Sequence, residues 1–385
     1  MRMIIYGGTL LTPDETLPDH ALVIETGRIV ALEPGLHPVS AGAHERILHA
    51  DGLWVAPGLI DLHVHGSAGS DTMDATPAAL ATMSNFFIKH GVTAYLPTTI
   101  TGPGAAIQAA ITNVERTPQP EDGAHHLGVH LEGPYLSPTQ RGAQPEEFLR
   151  QPDPGEYDSW LDSSVVRLIA VAPEIPGVLS LIEKGVAKGI RFSAGHCQAN
   201  YEQTMQAVDR GLNQATHTFN AMLGLHHREP GTAGAVLADE RIYAEVIVDG
   251  VHVHPAIVRV LVQAKGINRT ILITDAIRAA GLADGDYDLG GQIVHVAGGI
   301  ARTSSGSLAG STLTLDKAVR NVMQFAGVSL NQALAMASRV PAEAMRWSGR
   351  KGVLEPGADA DVILFDASLN VRGSIIAGNL VYDNL

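Results

Sequence analysis

The chain has 385 residues, 45% of them hydrophobic, so it can bury a large core. Its formal net charge of −14 argues against a nucleic-acid binder, because phosphate backbones are held by basic surfaces. One cysteine, Cys197, excludes an internal disulfide and a cysteine-rich zinc site. A small phosphorylated ligand stays compatible with the charge, since one or two local cations can hold it.

The amino-terminal region, residues 1–56, alternates short β-rich runs with turns. Thr26-Gly27-Arg28 lies between two apolar runs and predicts a hairpin. The first apolar stretch is broken by Gly7-Gly8 and soon meets acidic residues, which favours neither a signal peptide nor a membrane span. We therefore expect a cytoplasmic protein.

From residue 57 onward the pattern changes to strands that alternate with helices. The helical segments show the apolar spacing of helices packed on one face, and most end at a glycine suited to a helix terminus. Eight strands are predicted, within residues 59–66, 92–99, 127–133, 165–174, 190–196, 213–220, 242–250 and 270–276. This rhythm predicts an α/β fold with a (β/α)₈ TIM barrel, with an open doubly wound sheet as the alternative.

The last part of the chain, residues 352–385, returns to a β-rich pattern after two further helical segments. Both ends of the chain are thus rich in predicted strands. We expect them to build one small β-sandwich from both termini. The predicted domains are residues 1–56 and 352–385 for the β-sandwich and residues 57–351 for a metal-dependent barrel.

Polar residues stand at the carboxyl ends of the predicted barrel strands, where barrel enzymes build their active sites. The first strand ends with two histidines that share one face, and four other strands end with a histidine or an acid. These residues are His63, His65, Glu132, His196, His217 and Asp275. Imidazole and carboxylate groups that converge in this way suit Zn²⁺ or Fe²⁺. A metal would also explain why a buried strand ends on the carboxylate of Glu132.

Three further histidines are given other roles. His125 and His126 precede their strand, at the end of the barrel opposite the predicted site, and we expect both at the surface. His130 shares a strand face with Glu132 but lies two residues deeper, which favours packing or support of the site. Cys197 is expected to be a small buried residue.

The motifs HVHG (63–66), HLEGPYL (130–136), AGH (194–196), THTFNAM (216–222), ITDA (273–276) and LAGSTLT (308–314) occur in this order. In these motifs the chain closely resembles the N-acetylglucosamine-6-phosphate deacetylases of the amidohydrolase superfamily. The resemblance spans residues 53 to about 365. It implies that Glu132, His196 and His217 hold a catalytic divalent metal and that Asp275 is the general base. It also implies a homodimer.

The resemblance further implies residues that contact a phosphorylated amino sugar. Arg228 offers the forked geometry that phosphate prefers, and backbone groups near Asn220 can bind ligand oxygens. The full set of implied contacts is Ala143, Asn220, Ala221, Arg228, His252, Leu308, Ala309 and Gly310.

Two features depart from the family or vary within it. Where the family usually carries a histidine that orients or polarises the acetyl carbonyl, this chain has Gln144, which donates a hydrogen bond but carries no proton. The two histidines of the first strand are retained here, although family members differ in this respect. A second metal at His63 and His65, bridged through Glu132, is therefore permitted.

Three rival functions stay open at this point. The same chemistry on N-acetylgalactosamine 6-phosphate needs only the inversion of one hydroxyl. A cyclic amidase or dihydroorotase-like enzyme would typically bridge two metals with a carboxylated lysine on the fourth strand, and residues 165–174 contain no lysine. A non-catalytic metal-binding barrel would have little reason to keep Glu132, both metal histidines and Asp275.

Overall fold

The computed structural model describes residues 2–13, 15–36 and 45–385. Ten α-helices and 24 strands are found in these ranges. No helix within them is long and apolar enough to cross a membrane. Positions 1, 14 and 37–44 of the predicted amino-terminal β-region lie outside the described residues.

The amino-terminal part consists of seven strands: β1 Arg2–Tyr6, β2 Thr9–Leu11, β3 Thr16–Leu17, β4 His20–Glu25, β5 Arg28–Pro34, β6 Glu45–His49 and β7 Trp54–Pro57. β4 and β5 pair antiparallel around Thr26 and Gly27, both of which have positive φ, as the predicted hairpin requires.

The central part alternates strands and helices. Its first half contains β8 Leu59–Val64, β9 Gly66–Ser67, β10 Ser70–Asp71, α1 Pro77–Phe87, β11 Val92–Thr99, α2 Gly104–Arg116, β12 His125–His126, β13 Val129–Glu132, α3 Pro154–Asp162, β14 Val166–Val171 and α4 Val178–Ala187. Its second half contains β15 Arg191–Ala194, α5 Tyr201–Asp209, β16 Gln214–Ala215, α6 Gly231–Ala238, β17 Tyr243–Ile247, α7 Pro255–Lys265 and β18 Thr270–Ile273.

The remaining elements are β19 Gly285–Leu289, β20 Gln292–Ala297, β21 Ile300–Thr303, α8 Leu315–Ala326, α9 Leu330–Ala337, α10 Arg339–Ala344, β22 Val362–Phe365, β23 Val371–Ile376 and β24 Asn379–Asp383. Short 3₁₀ turns lie at Thr72–Asp74, Ile88–His90, Pro138–Gln140, Glu146–Phe148 and Ile267–Arg269. The segment 329–347, which the sequence presents as one helical pattern, is broken between α9 and α10 at Ser338, whose φ of −136° is not helical.

Eight strands form the predicted barrel. They run parallel in the order β8-β11-β13-β14-β15-β16-β17-β18, so each of the eight predicted strands is present. The alternative of an open doubly wound sheet is wrong, because β18 returns to β8 and nearly closes the ring. Asp275 N donates to His63 O at 2.9 Å and His65 N donates to Ala276 O at 2.8 Å, just beyond the end of β18.

The seam between β18 and β8 is held by a buried carboxylate, Asp61. Its oxygens accept hydrogen bonds from Thr274 Oγ1 at 2.6 Å and from the backbone N–H groups of Thr274 and His63, both at 3.3 Å. Burial raises the pKa of Asp61 to about 7, although these hydrogen bonds oppose the shift. The side chain of Asp61 thus joins the two strands where their ladder is incomplete.

Two further sheets combine strands from both ends of the chain. One has the order β5-β4-β1-β6, and the other has the order β24-β23-β22-β7-β2-β3. Apolar side chains of both sheets, among them Ile5, Leu22, Val55, Leu364 and Ile375, share one buried cluster. We propose that these sheets form the small β-domain expected from the sequence.

The antiparallel sheet of β19, β20 and β21, inserted between the last barrel strand and α8, was not predicted from the sequence. Val294, Val296 and Leu289 pack with Ile100 and Ile277 in a separate apolar cluster. The insertion reaches the carboxyl end of the barrel, where Gln292 Nε2 donates to the carbonyl of Ala143.

Lys351 is a largely buried cation just before the carboxyl-terminal β-region. Its Nζ lies 2.5 Å from Asp361 Oδ2 and 3.1 Å from Asp359 Oδ2, and its side chain is 14% exposed. Because removal of the cation leaves the buried carboxylate of Asp361 without its ion-pair partner, while Asp359 keeps Arg28 at 2.8 Å, we expect Lys351→Met to lower the free energy of unfolding by about 2 to 3 kcal/mol in urea denaturation. Arg350→Met is the control: its side chain is 63% exposed, and we expect a loss below about 1 kcal/mol. Equal losses for the two variants would contradict this role of Lys351.

Candidate active site

The predicted strand-end side chains converge at the carboxyl end of the barrel. Two groups of possible metal ligands are found among the described residues: His63, His65 and Asp275, and Glu132, His196 and His217. All six are buried, and within each group the ligand atoms lie within 4.8 Å of one another. They come from six positions on five strand ends, as the parallel barrel requires.

Glu132 lies between the two groups. Its Oε1 is 3.0 Å from His217 Nε2, 3.1 Å from His196 Nε2 and 3.5 Å from His63 Nε2. Its Oε2 is 3.4 Å from His65 Nε2. One carboxylate can therefore serve both groups, which is the arrangement that a bridging ligand needs.

Asp275 lies on the side of the first-strand histidines. Its Oδ1 is 3.2 Å from His65 Nε2 and 3.4 Å from His63 Nε2. It also lines the cavity described below, so that a ligand there is within its reach. Its backbone is joined to β8 through the hydrogen bond from Asp275 N to His63 O.

The backbone at three of these positions is left-handed. The φ angle is +45° at His196, +30° at His217 and +50° at Asp275. Non-glycine residues seldom adopt this conformation, and it recurs where a site demands a particular side-chain direction. In each case the left-handed residue lies two positions beyond the end of the strand, and its side chain enters the site.

In three of the histidines, the Nδ1 atom, which does not face the other ligands, lies within hydrogen-bond distance of a protein oxygen. Nδ1 of His196 is 2.9 Å from Gln140 O, and Nδ1 of His65 is 3.2 Å from Thr98 O. Nδ1 of His63 is 3.3 Å from Glu245 Oε2. When Nδ1 donates in this way, Nε2 is the nitrogen that can bind a cation.

The electrostatics favour ionised carboxylates. Burial alone would raise the pKa of Glu132, but the histidines around it hold that pKa well below its usual range. For Asp275 the same balance of burial against His63 and His65 lowers the pKa to about 2. Burial opposes charge on His65, yet Asp275 and Glu132 raise its pKa well above the ordinary value.

The donor set fits a divalent cation. His63 Nε2 is buried without a hydrogen-bond partner among the described residues, and the Nε2 atoms of His196 and His217 face each other at 3.1 Å. Two imidazole nitrogens at this distance need a proton or a cation between them. Imidazole and carboxylate ligands of this kind suit Zn²⁺ or Fe²⁺.

A cavity of about 270 Å³ opens above these ligands. Most of the predicted site residues line it: His65, Glu132, Ala143, Gln144, His196, His217, Asn220, Ala221, His252, Asp275, Leu308 and Gly310. Six lining residues were not predicted: Ile100, Thr139, Gln140, Gly142, Leu289 and Ser307. Leu289 belongs to the inserted sheet and Ile100 follows β11, so neither stands in a polar motif that sequence reasoning would single out.

Three predicted residues do not line the cavity. His63 is fully buried behind it, and Ala309 is buried beside it. Arg228 is exposed on the loop between β16 and α6, with Nη1 2.8 Å from His227 Nε2. Within this chain, the guanidinium is therefore not brought to the cavity.

Gln144 has contacts that the sequence did not indicate. Its Oε1 accepts a hydrogen bond from Thr101 N at 2.9 Å, and its Nε2 donates to Glu132 Oε2 at 2.5 Å. These bonds fix the amide orientation and leave the second Nε2 hydrogen for a ligand in the cavity. Gln144 thus supports Glu132 as well as lining the cavity.

His252 lines the cavity and is supported from behind by Asp249. Nδ1 of His252 is 2.7 Å from Asp249 Oδ2, and the imidazole side chain is 6% exposed. Burial opposes charge on Asp249, but His252 lowers the pKa of this carboxyl below its ordinary value. Asp249 was not predicted, although it lies two residues beyond the end of the buried strand β17, as Asp275 does for β18.

The minor expectations have mixed outcomes. His126 is buried, with Gln119 Nε2 donating to its carbonyl at 2.7 Å, so the prediction of a surface residue is wrong for it. Its short strand pairs with β11, and Nδ1 of its ring lies 3.3 Å from Gln119 Nε2. His130 is buried, and its ring centroid lies 4.7 Å from that of His63 in an edge-to-face arrangement. Cys197 is buried as expected.

Comparison with known proteins places this geometry in a family. Residues 54–381 match the model of the Amidohydrolase family. N-acetylgalactosamine-6-phosphate deacetylase of Escherichia coli O157:H7 is 41% identical over 383 residues, which cover 99% of both chains. N-acetylglucosamine-6-phosphate deacetylase of Vibrio furnissii is 41% identical over 369 residues, which cover 94% of this chain and 90% of the relative. The chain belongs to the N-acetylglucosamine-6-phosphate deacetylase family of amidohydrolases.

A solved structure agrees with this membership. N-acetyl-D-glucosamine-6-phosphate deacetylase from Mycobacterium smegmatis, in complex with N-acetyl-D-glucosamine-6-phosphate, has a TM-score of 0.90 and 35% identity over 99% of each chain. Amidohydrolases typically depend on a divalent metal, in keeping with the two ligand groups found here. The resemblance read from the motifs is thus confirmed over nearly the whole chain.

Proposed function

We propose that this chain is a metal-dependent hydrolase that removes the acetyl group from N-acetylglucosamine 6-phosphate in amino-sugar catabolism or recycling. The products are glucosamine 6-phosphate and acetate. One observation carries the proposal: Glu132, Asp275 and the paired histidines converge on the floor of a cavity that family substrate motifs also line. The named relatives act on N-acetylhexosamine 6-phosphates.

The proposed cofactor is a divalent metal, Zn²⁺ or alternatively Fe²⁺. Glu132, His196 and His217 would hold one ion, and His63 and His65 would hold a second one, bridged by Glu132. When bound, such an ion supplies a more acidic water and a polarised acyl oxygen. The buried and unpartnered His63 Nε2 supports the second position.

The catalytic base in this proposal is Asp275. Its ionised carboxylate takes a proton from the attacking water as the water oxygen bonds to the acetyl carbon. When the bond between that carbon and nitrogen breaks, Asp275 returns the proton to the leaving amine. Gln144 directs its second Nε2 hydrogen at the acetyl oxygen, while its first holds Glu132 in place.

The remaining predicted residues are proposed to bind the sugar phosphate. Asn220, Ala221 and His252, together with the segment of Leu308, Ala309 and Gly310, surround the cavity or support its wall. Ala143 also lines the cavity, and its carbonyl accepts a hydrogen bond from Gln292 of the inserted sheet. These contacts would orient the acetamido group over the metal ligands.

The proposed role of Arg228 depends on a proposed homodimer. Since Arg228 is exposed away from its own cavity, we propose that it reaches the 6-phosphate bound to a neighbouring subunit of a homodimer. Leu225, an exposed apolar side chain on the same loop, supports a subunit contact on this part of the surface. We also propose a cytoplasmic location, where phosphorylated sugars are metabolised.

Arg228→Ala should raise KM for the phosphorylated substrate by an amount that corresponds to a charge-assisted bond, about 2 kcal/mol. Unphosphorylated N-acetylglucosamine is the control substrate, and its KM should be nearly the same in the variant and the wild type. Equal losses on both substrates would count against phosphate binding. Full activity from a monomer, measured by sedimentation at assay concentration, would refute the cross-subunit role.

A second candidate substrate is N-acetylgalactosamine 6-phosphate. The relative from Escherichia coli O157:H7 that carries this name is 41% identical to the chain, as is the Vibrio furnissii N-acetylglucosamine-6-phosphate deacetylase. The deciding experiment compares kcat/KM for acetate release from the two epimers. We expect the gluco epimer to be preferred. A preference for the galacto epimer would identify N-acetylgalactosamine 6-phosphate as the substrate. If neither epimer released acetate, both proposed substrates would be excluded.

A further inference from the structure

Glu245 is a buried carboxylate on β17 that the proposed reaction leaves without a task. It is fully shielded from solvent, and among the described residues its only side-chain hydrogen bond joins Oε2 to His63 Nδ1 at 3.3 Å. The other oxygen, Oε1, has no partner there. A buried charge in this state is costly unless another charge compensates it.

The contact fixes the orientation of the His63 ring. A carboxylate only accepts hydrogen bonds, so Nδ1 of His63 must carry the hydrogen. The opposite nitrogen, Nε2, then faces Glu132 Oε1 at 3.5 Å and Asp275 Oδ1 at 3.4 Å. His63 is thereby prepared to bind a cation between these groups.

His65 and His196 are supported differently. Their Nδ1 atoms meet the backbone carbonyls of Thr98 and Gln140. A carbonyl fixes a ring but adds no net charge, whereas a carboxylate also makes the imidazole a stronger ligand. Glu245 therefore adds a third negative charge, after Glu132 and Asp275, on the side of the His63 and His65 pair.

Asp61 shows what a purely structural carboxylate looks like in the same place. It lies two residues from His63 on β8, but it accepts three hydrogen bonds from Thr274 and a backbone N–H. Within the described ranges, no imidazole ring forms a hydrogen bond with its carboxyl group. The carboxyl oxygens of Asp61 are satisfied by hydrogen bonds at the barrel seam, whereas Oε1 of Glu245 has no partner among the described residues.

From this contrast we infer that Glu245 is a positioning residue for a second metal ion, which is bound by His63 and His65. The charge of Glu245 raises the affinity of the protein for this ion and not for the other one. The inference rests on the proposed metal-dependent function. It concerns only one of the two ions, so the ion held by Glu132, His196 and His217 should not depend on Glu245.

The test measures metal binding rather than catalysis. Purified protein is stripped with a chelator and titrated with Zn²⁺ against a competing indicator, and bound zinc is counted by mass spectrometry. Glu245→Gln removes the charge while its amide oxygen can still accept from Nδ1 of His63. We expect one of two ions to bind tenfold to a hundredfold more weakly and the other to be unchanged.

Two further variants separate the metal effect from folding. His63→Ala should lose the same ion as Glu245→Gln. Asp61→Asn should lower the melting temperature of the metal-free protein, yet its folded fraction should bind both ions as the wild type does. The metal-free Glu245→Gln protein should melt no lower than the metal-free wild type, because it no longer buries a charge.

Three results would overturn the inference. The Glu245→Gln variant could bind both ions with wild-type affinity, it could lose the same affinity for both ions, or the wild type could bind a single ion. Acetate release by the wild type, assayed separately, reports on the proposed function. A wild type that deacetylates while Glu245→Gln retains both zinc ions would overturn the inference alone.

Discussion

Asp275→Asn should lower kcat by about 10²-fold or more, since a positioned general base contributes roughly this much to a proton transfer. The pKa of Asp275 lies at about 2, because the charges of His63 and His65 outweigh the effect of burial, so the wild-type carboxylate is ionised at neutral pH. An asparagine has nearly the same shape but cannot accept the proton. Steady-state kinetics on N-acetylglucosamine 6-phosphate would measure the loss.

The pH profile separates this role from a structural one. In the wild type, protonation of the base should lower kcat only as the pH approaches the pKa of about 2, and the variant should lack this step. The ion at Glu132, His196 and His217 should be retained, because Asp275 Oδ1 lies nearest to His65 and His63. Asp286→Asn, an exposed carboxylate on the inserted sheet, is the control and should leave the rate unchanged. An Asp275→Asn rate within a few-fold of the wild type would exclude the proposed base.

Glu132→Ala should remove both bound metal and activity. The carboxylate of Glu132 contacts histidines of both groups, and it is fixed by Gln144. Loss of a residue that merely supports a ligand already costs tenfold to a hundredfold, so loss of the bridging carboxylate should cost at least that much. Metal content and acetate release, measured on one preparation, would check this expectation.

Glu132→Gln is the informative companion variant. It preserves volume and one acceptor oxygen but not the charge, so metal affinity should lie between those of the wild type and the alanine variant. His196→Ala and His217→Ala should each lower bound metal and rate in the same way. If both metal content and rate survived in Glu132→Ala, the assignment of the site would be wrong.

Much of the barrel could be predicted because its signals are local. Each strand is a short apolar run, each is followed by a helical pattern, and the polar residue that ends a strand must face the common carboxyl end. His63, His65, Glu132, His196, His217 and Asp275 were identified in this way. Their mutual distances follow from the closure of the barrel.

The supporting residues could not be found by the same reasoning. Glu245 and Asp61 are acids inside apolar strands, and a strand pattern does not say that one meets the His63 ring and the other a threonine 213 positions away. The positive φ angles at His196, His217 and Asp275 result from tertiary structure, not from residue type. The inserted β19–β21 sheet was missed because its strands are half exposed and separated by glycine turns.

Arg228 illustrates a different kind of gap. The motif resemblance implies that Arg228 binds the substrate phosphate. In the structure of the single chain, however, its side chain is exposed and contacts His227. A contribution across a subunit boundary would reconcile the two, and only an assembly measurement can reveal it.

The most direct test of the account is acetate release from N-acetylglucosamine 6-phosphate, followed by NMR, in the purified, chelator-stripped and zinc-reconstituted protein. The account predicts release by the purified protein, loss of release on stripping, and recovery on zinc addition in the wild type but not in Glu132→Ala. Release that persists undiminished in protein shown to be free of metal would contradict it.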